Sequence, residues 1–366
     1  MKILIVEVNW LGDVLFSTPA IKALRKKFPQ SSISCLILPR VKDVLEGNPD
    51  INELIVNDEE ALHKGFWGKM RLANELKKKK FDMAVLFHRS FTRAMLVYLA
   101  GISRRVGYST WKRRFLLSDP IPMPPKDSQH RVDYYLGIVK PLAIAPPLAG
   151  WPVGCLAEDR HYEFFTSAGD DKFIEKIFLE EGIIEEDFIV CLNPGGNWGP
   201  KRWPKENFSR LADSLIDEYK AKVIFSGSED DVSLIKEIAR LMKHTPIITA
   251  GKTNLKQSAC LFKKAGLVIS ADSGPLHIAA AVGANVIALF GPTLPAITGP
   301  LGRGKIKVIR RDISGSTPLT INPERSRRID CALPCYAKNC DNNTCMQEIT
   351  VQDVMSEIKN SLAERK

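Results

Sequence analysis

The sequence is short of several features, and each shortage removes a class of protein. Its 366 residues contain no long apolar run. The only extended stretch without Asp, Glu, Lys or Arg is Ser273–Gly302. It is broken by Gly274, Pro275, Gly283, Asn285, Gly291, Pro292, Pro295, Gly299 and Pro300, which suit turns rather than a membrane-spanning helix. In the opening segment Glu7 interrupts the apolar run and no small-residue cleavage motif follows, so no secretory leader is expected. Internal repeats and low-complexity tails are missing apart from the Lys77–Lys80 run, which reads as the solvated end of a helix. Neither the dinucleotide fingerprint G-x-G-x-x-G nor the phosphate loop G-x-x-x-x-G-K-[ST] is present, which weakens a dehydrogenase reading. A nucleic-acid-binding motif is also lacking. Cysteine is sparse, at eight, with no C-x-x-C pair. In a chain expected to be cytosolic, such cysteines point to buried thiols or a metal site before disulfides.

What remains is ordinary soluble protein, 45% hydrophobic and 26% charged, which excludes disorder, collagen and coiled coil. The length exceeds one compact core, so two domains are expected. Lys and Arg outnumber Asp and Glu by 52 to 42, and a net charge of +10 calls for an anionic partner. That surplus is local. Residues 61–131 alone carry 16 Lys and Arg against 4 Asp and Glu, so the basicity marks a site in the first half.

Short apolar runs alternate with helical periodicity from the first residue. Strands are predicted over 2–8, 33–38, 53–56, 83–87 and 105–108, with helices over 14–28, 61–80 and 91–100. A proline-rich passage from Pro141 to Pro152 interrupts the rhythm. Strands then fit 188–192, 222–225, 267–270 and 286–290, and helices fit 205–220, 231–243, 255–264 and 275–282. The pattern implies two doubly wound α/β domains, residues 1–155 and 156–366, joined near 146–160 and facing across one cleft. A terminal helix closes the chain.

Three strand-to-helix junctions carry chemistry. In Asn9-Trp10-Leu11-Gly12-Asp13-Val14 a carboxylate meets a helix start, so Asp13 is either an N-cap or a general base. The glycine-rich run Asn193–Pro204 frees backbone amides for phosphate, with Lys201 and Arg202 adding positive charge. In Ser270–Ala281, Asp272 either caps the helix or accepts from sugar hydroxyls, and His277 follows one turn later. The Phe290-Gly291-Pro292-Thr293 turn is placed to line the same pocket. Glu229 is either a ribose-binding carboxylate or a helix-start Glu favoured by the macrodipole.

Several motifs together resemble glycosyltransferase family 9, the ADP-heptose:lipopolysaccharide heptosyltransferases. They are Gly12-Asp13-Val14 with Thr18-Pro19, Pro194-Gly195 with Lys201-Arg202-Trp203-Pro204, Asp272-Ser273-Gly274 with His277 and Ala280, and Phe290-Gly291-Pro292-Thr293. Ser90-Phe91-Thr92-Arg93 and Arg105-Val106-Gly107-Tyr108 resemble first-domain signatures of that family. The resemblance spans nearly the whole chain and is nearest the branch that adds the second heptose. It implies a GT-B fold of two Rossmann-like domains, acceptor in the first and nucleotide sugar in the second. It further implies inverting transfer of heptose from ADP-heptose to the phosphorylated lipid A–Kdo inner core, without metal or cofactor. Asp13 is then the base, and Gly12, Ser90, Arg93 and Arg105 contact the acceptor. Gly196, Asn197, Lys201, Glu229, Asp272, Ser273, Gly274 and His277 bind the sugar donor. Glu7, at the end of the first strand, departs from the family pattern.

The cysteines Cys331, Cys335, Cys340 and Cys345 cluster in the tail, and either a structural metal or plain folded thiols explains them. The basic first domain fits a phosphorylated acceptor and an anionic inner-membrane face, placing the protein in the cytoplasm as a peripheral membrane protein. Nucleic acid is not expected as a partner. Alternatives are a transferase using another nucleotide sugar, a GT-B epimerase, and a non-catalytic sugar-nucleotide-binding relative.

Overall fold

The structure is a computed structural model that describes residues 1–142, 159–311, 334–337, 340 and 343–363. The chain divides into two compact units, Met1–Phe165 and Thr166–Lys366. The expected boundary at 155/156 lies outside the described residues, as does Cys331.

The first unit runs β1 (Lys2–Val6), α1 (Leu11–Lys27), β2 (Ser32–Ile37), α2 (Lys42–Leu45), β3 (Glu53–Val56), α3 (Gly65–Lys79), β4 (Met83–Leu86), α4 (Phe91–Leu99), β5 (Arg104–Tyr108), β6 (Asp119–Ile121) and α5 (Arg131–Val139). Its six strands form one parallel sheet in the order β3-β2-β1-β4-β5-β6. Ile3, Leu4, Ile5 and Val6 are fully buried, as are Met83 to Leu86, because helices cover both faces of these strands. Strand order reverses between β1 and β4. In such sheets the carboxyl ends at the reversal open a crevice, since successive crossovers depart to opposite faces.

α1 leaves β1 at that reversal. It starts at Leu11, three residues before the predicted Val14, with Trp10 as an N-cap that makes no side-chain bond. Asp13 is therefore inside the first helical turn, and the N-cap reading is corrected. Pro19 lies within α1 and lacks the amide that would bond the Leu15 carbonyl. Thr18 Oγ1 donates to that carbonyl at 2.8 Å, so the Thr-Pro pair keeps the buried helix satisfied.

The second unit runs α6 (Ala168–Glu180), β7 (Ile189–Asn193), α7 (Lys205–Tyr219), β8 (Lys222–Phe225), α8 (Val232–Leu241), β9 (Ile247–Ile248), α9 (Leu255–Lys264), β10 (Leu267–Ala271), α10 (Gly274–Ala281), β11 (Val286–Phe290), α11 (Pro295–Thr298), β12 (Ile306–Arg310), α12 (Thr344–Gln347) and α13 (Val351–Ala363). Its parallel sheet is ordered β12-β11-β10-β7-β8-β9, so the reversal falls between β7 and β10. Every residue of β7, β10 and β11 is buried. Both domains are doubly wound α/β, as predicted. No helix among the described residues is long and apolar enough to cross a membrane.

Candidate functional site

Chemistry collects at the carboxyl ends of the two reversals. In the first unit α5 packs along α1 and brings Tyr135 to Asp13, whose Oδ1 accepts from the phenol hydroxyl at 3.3 Å. Tyr135 is buried and also meets Phe87, ring centroids 5.5 Å apart. Burial and the charge of Asp13 hold its phenol protonated well above the usual range.

Beneath Asp13 is Glu7, only 2% exposed. Its Oε2 accepts from the Val8 amide at 3.1 Å and its Oε1 from Ser17 Oγ at 3.0 Å. Burial pushes the carboxyl up to about 8; the Val8 and Ser17 bonds pull the other way and the charge of Asp13 adds to the rise. An acid therefore shares the site with the candidate base.

The expected acceptor contacts divide. Gly12 lies beside Asp13 in the first turn of α1. Ser90 caps α4, its Oγ accepting from the Thr92 amide at 3.1 Å. Arg93 is buried and pairs with Glu59 at 3.2 Å. Arg105 donates to the carbonyls of Leu116, Ile102 and Ser103 and stacks on Tyr98, 5.3 Å from the ring centre. These two guanidiniums tie the protein together in this structure and do not converge on Asp13. Sequence reasoning missed Tyr135 and Arg89. Arg89 follows β4 at the reversal, is exposed, and lies 6.0 Å from the Tyr134 ring. The helix carrying Tyr135 went unassigned beside the proline-rich passage. His88, next to Arg89, is held neutral, its pKa pushed down to about 4 by burial and by Arg93 and Arg113.

In the second unit the loop after β7 meets the loop after β10. Lys201 Nζ pairs with Asp272 Oδ2 at 2.7 Å. The same oxygen accepts from Thr293 Oγ1 at 2.7 Å and Thr298 Oγ1 at 3.2 Å, while His277 Nε2 lies 3.2 Å from Oδ1. Asp272 is 4% exposed. Burial alone would raise its pKa, but the bond from His277 and the charge of Lys201 overcome that and hold it well below the carboxylate range. Oδ2 is crowded by three donors, whereas Oδ1 meets His277 and keeps acceptor capacity for a hydroxyl. Lys201 itself stays about a quarter exposed, its ammonium 5.5 Å from the Trp198 ring centre.

The glycine-rich loop is shaped by close approach. A side chain at Gly195 would run into the Asp231 carboxylate, which Ser228 fixes through its amide at 2.9 Å and its hydroxyl at 2.7 Å. Gly196 donates nothing to that clamp, but its carbonyl accepts twice from Arg202, at 3.0 and 2.7 Å. Arg202 thus braces the loop while its side chain stays exposed. Asn197 lies in the same loop, between Gly196 and Trp198. Ser273 precedes α10, its Oγ 3.2 Å from Ser270 Oγ. α10 opens at Gly274 without a side-chain cap, so its first-turn amides suit an anion. Glu229 is half a turn from Asp231 and its carboxylate lies against Gly251, where φ is +71° and a side chain would collide.

The tail leans on this loop. Trp203 Nε1 donates to the Ile349 carbonyl at 2.8 Å, Trp198 Nε1 to Ala337 at 3.2 Å, and Asn343 Nδ2 to Arg202 at 2.8 Å. Cys345 is buried, Cys335 half-buried and Cys340 exposed. Among the described residues no cluster of three or more His, Cys, Asp or Glu is arranged to hold a metal. Cys35, Cys191 and Cys260 are buried thiols, and burial pushes Cys260 up to about 11.

Comparison with known proteins places the fold and the family. A solved glycosyltransferase family 9 protein from Veillonella parvula superposes with a TM-score of 0.81 over 99% of this chain and 97% of its own, at 23% identity, which shows the shared fold. Escherichia coli ADP-heptose lps heptosyltransferase II superposes with a TM-score of 0.76 at 25% identity, covering 100% and 99% of the two chains. Lipopolysaccharide heptosyltransferase 2 of Escherichia coli K12 is 29% identical over 85% of this chain and 88% of its own length. Residues 69–319 match the model of Glycosyltransferase family 9 (heptosyltransferase), which covers more than half of the sequence and both reversals' loops from β4 onward. The chain belongs to glycosyltransferase family 9, with the GT-B architecture of its heptosyltransferases.

Proposed function

We propose that the protein transfers heptose from ADP-heptose to the inner core of lipopolysaccharide, on a lipid A–Kdo–heptose acceptor, with inversion and without a metal ion. The observation that carries this reading is the placement of complementary groups at equivalent points. Asp13, a carboxylate that accepts from Tyr135, stands at the first reversal, and a cation–carboxylate network, Lys201 with Asp272, stands at the second.

In this scheme Asp13 takes the proton of the acceptor hydroxyl as the oxygen attacks the anomeric carbon. The bond from that carbon to the β-phosphate oxygen breaks and ADP leaves. Tyr135 keeps the carboxylate oriented. Lys201 and the first-turn amides of α10, with the Gly196–Asn197 segment, meet the charge that builds on the diphosphate. Asp272, oriented by His277, holds Lys201 in place and takes a heptose hydroxyl at Oδ1, or at Oδ2 when Thr298 gives way. Ser273 and Gly274 border that pocket, and Glu229 binds the ribose diol. Gly12 and Ser90 border the acceptor; Arg93 and Arg105 support it by fixing α4 and β5. The reaction places the enzyme on the cytoplasmic side, peripheral to the inner membrane.

The test is ADP release with ADP-heptose and a panel of truncated core acceptors. Turnover with one of them is expected. Binding of ADP-heptose without turnover on any acceptor would favour a non-catalytic sugar-nucleotide-binding protein.

A further inference from the structure

Every connection that leaves a strand of the first sheet departs from its carboxyl edge, because all six strands are parallel. The residues that begin α3 and α4 and those that follow β5 therefore share one edge with Asp13. That edge is unusually aromatic and unusually open. Phe66 is 68% exposed, Trp67 81%, Trp111 91% and Phe115 70%. Phe66 and Trp67 contact each other edge to face, and Phe115 meets Phe91 at 6.3 Å. α3 packs on α4, and α4 on the turn that holds Phe115, so the aromatics form a rim carried on neighbouring elements.

Cations are interleaved with them. Phe66, Trp67 and Met70 share a groove along α3 with Arg71, which pairs at 3.3 Å with Glu75 of the same groove, and Lys78 lies at the far end of that helix. Lys112 and Arg114 flank Trp111 and Phe115 and are exposed. Of the acidic groups at this edge, Glu59 is paired with Arg93 and Asp58 accepts from the amides of Glu60 and Ala61, while the Glu60 side chain is exposed. Exposed indoles and phenyl rings beside Lys and Arg match the layered chemistry of a bilayer surface, where rings sit at headgroup depth and cations meet phosphate.

We infer that this rim docks the protein on an anionic phospholipid bilayer, with Trp67, Trp111 and Phe115 entering the headgroup layer and Lys112 and Arg114 binding lipid phosphates. Charge complementarity selects this occupant over a neutral apolar partner, since the exposed cations Arg89, Lys112 and Arg114 lie at this edge, within a segment (61–131) that carries 16 Lys and Arg against 4 Asp and Glu. The inference rests on the reading of the first unit as the acceptor side. It adds that docking brings the edge bearing Asp13 to the surface in which a lipid-linked acceptor is embedded.

The test compares the full chain with a W67A/W111A/F115A variant in vesicle co-sedimentation. Vesicles are phosphatidylglycerol with phosphatidylethanolamine, or phosphatidylcholine alone. The wild type should sediment with the anionic vesicles, at least about tenfold more weakly with phosphatidylcholine, and with a blue-shifted indole emission. The variant should bind anionic vesicles at least about tenfold more weakly while keeping its melting temperature and its rate on a deacylated, water-soluble acceptor. Wild-type failure to bind anionic vesicles, equal binding to both vesicle types, or unchanged binding by the variant would overturn the rim. Activity on the soluble acceptor is read separately. Vesicle binding without any transfer overturns the proposed function alone, and transfer without vesicle binding overturns the rim alone.

Discussion

The buried acid Glu7 yields a prediction whose size follows from the structure. Its carboxyl is 2% exposed and contacts only one amide and one hydroxyl in the described hydrogen bonds. An ionised carboxylate there is poorly solvated, so its pKa rises from 4.5 to about 8 in the folded protein. Because the folded value exceeds the unfolded one, full stability is present below pH 4.5, declines as pH rises toward 8, and levels off above it. A shift of this size corresponds to roughly 5 kcal/mol as an upper bound, at about 1.4 kcal/mol per unit. Glu7→Gln keeps the shape. Its carbonyl can accept from the Val8 amide while its amide donates to Ser17 Oγ, which already donates to the Val14 carbonyl at 2.8 Å. Urea unfolding of both proteins from pH 5 to pH 9 measures the difference. The variant should gain on the wild type steadily up to about pH 8, by a few kcal/mol, and hold that gain to pH 9. A gap independent of pH, or one that widens toward acid, would refute the claim that a neutral acid is buried beneath Asp13.

Three further outcomes follow from the second unit. Lys201→Ala removes a charge-assisted contact and should weaken ADP binding on the order of tenfold or more in calorimetry; unchanged affinity would count against the loop as a diphosphate site. Gly195→Ala drives a methyl group into the Asp231 carboxylate, so ADP affinity should fall while the melting temperature drops by only a few degrees. An alanine variant that binds ADP normally would show that the loop need not hold this shape. Trp203→Phe deletes the 2.8 Å bond to the Ile349 carbonyl and leaves that acceptor only the long 3.5 Å contact from Asn207 Nδ2, costing about 1 kcal/mol in denaturant titrations. No measurable loss would mean that the tail does not brace the donor loop.

The parts of the fold that were legible in the sequence are those where burial on both faces forces a continuous apolar run. Lys2–Val6, Met83–Leu86 and Val286–Phe290 are of that kind. Of the four edge strands, Glu53–Val56 was legible and the other three were not. Asp119–Ile121 contains Pro120, Ile247–Ile248 is two residues long, and Ile306–Arg310 is only half-buried and alternates with basic residues. Helix starts slipped where a side chain redirects the backbone. At 58–63 the Asp58 carboxylate collects the amides of Glu60 and Ala61, and its carbonyl accepts from His63, so α3 begins at Gly65 rather than at residue 61.

The site shows the same division. Asp13, Lys201, Asp272 and His277 were readable because each stands at a strand-to-helix junction, and the last three form one network. Arg93, Arg105 and Arg202 looked alike in sequence, as cations inside motifs. Only packing distinguishes a guanidinium that ties carbonyls or a carboxylate from one that reaches outward. Tyr135 was hidden for another reason: its partner Asp13 is 122 positions away, and no local pattern encodes that contact.

The central claim is that Asp13 removes the acceptor proton while the second unit binds ADP. The most direct measurement is the rate of ADP release from ADP-heptose with a competent core acceptor, for the wild type and for Asp13→Ala, alongside ADP affinity by calorimetry. The account predicts that the variant loses transfer and binds ADP with nearly unchanged affinity. Turnover by the variant at the wild-type rate would contradict it.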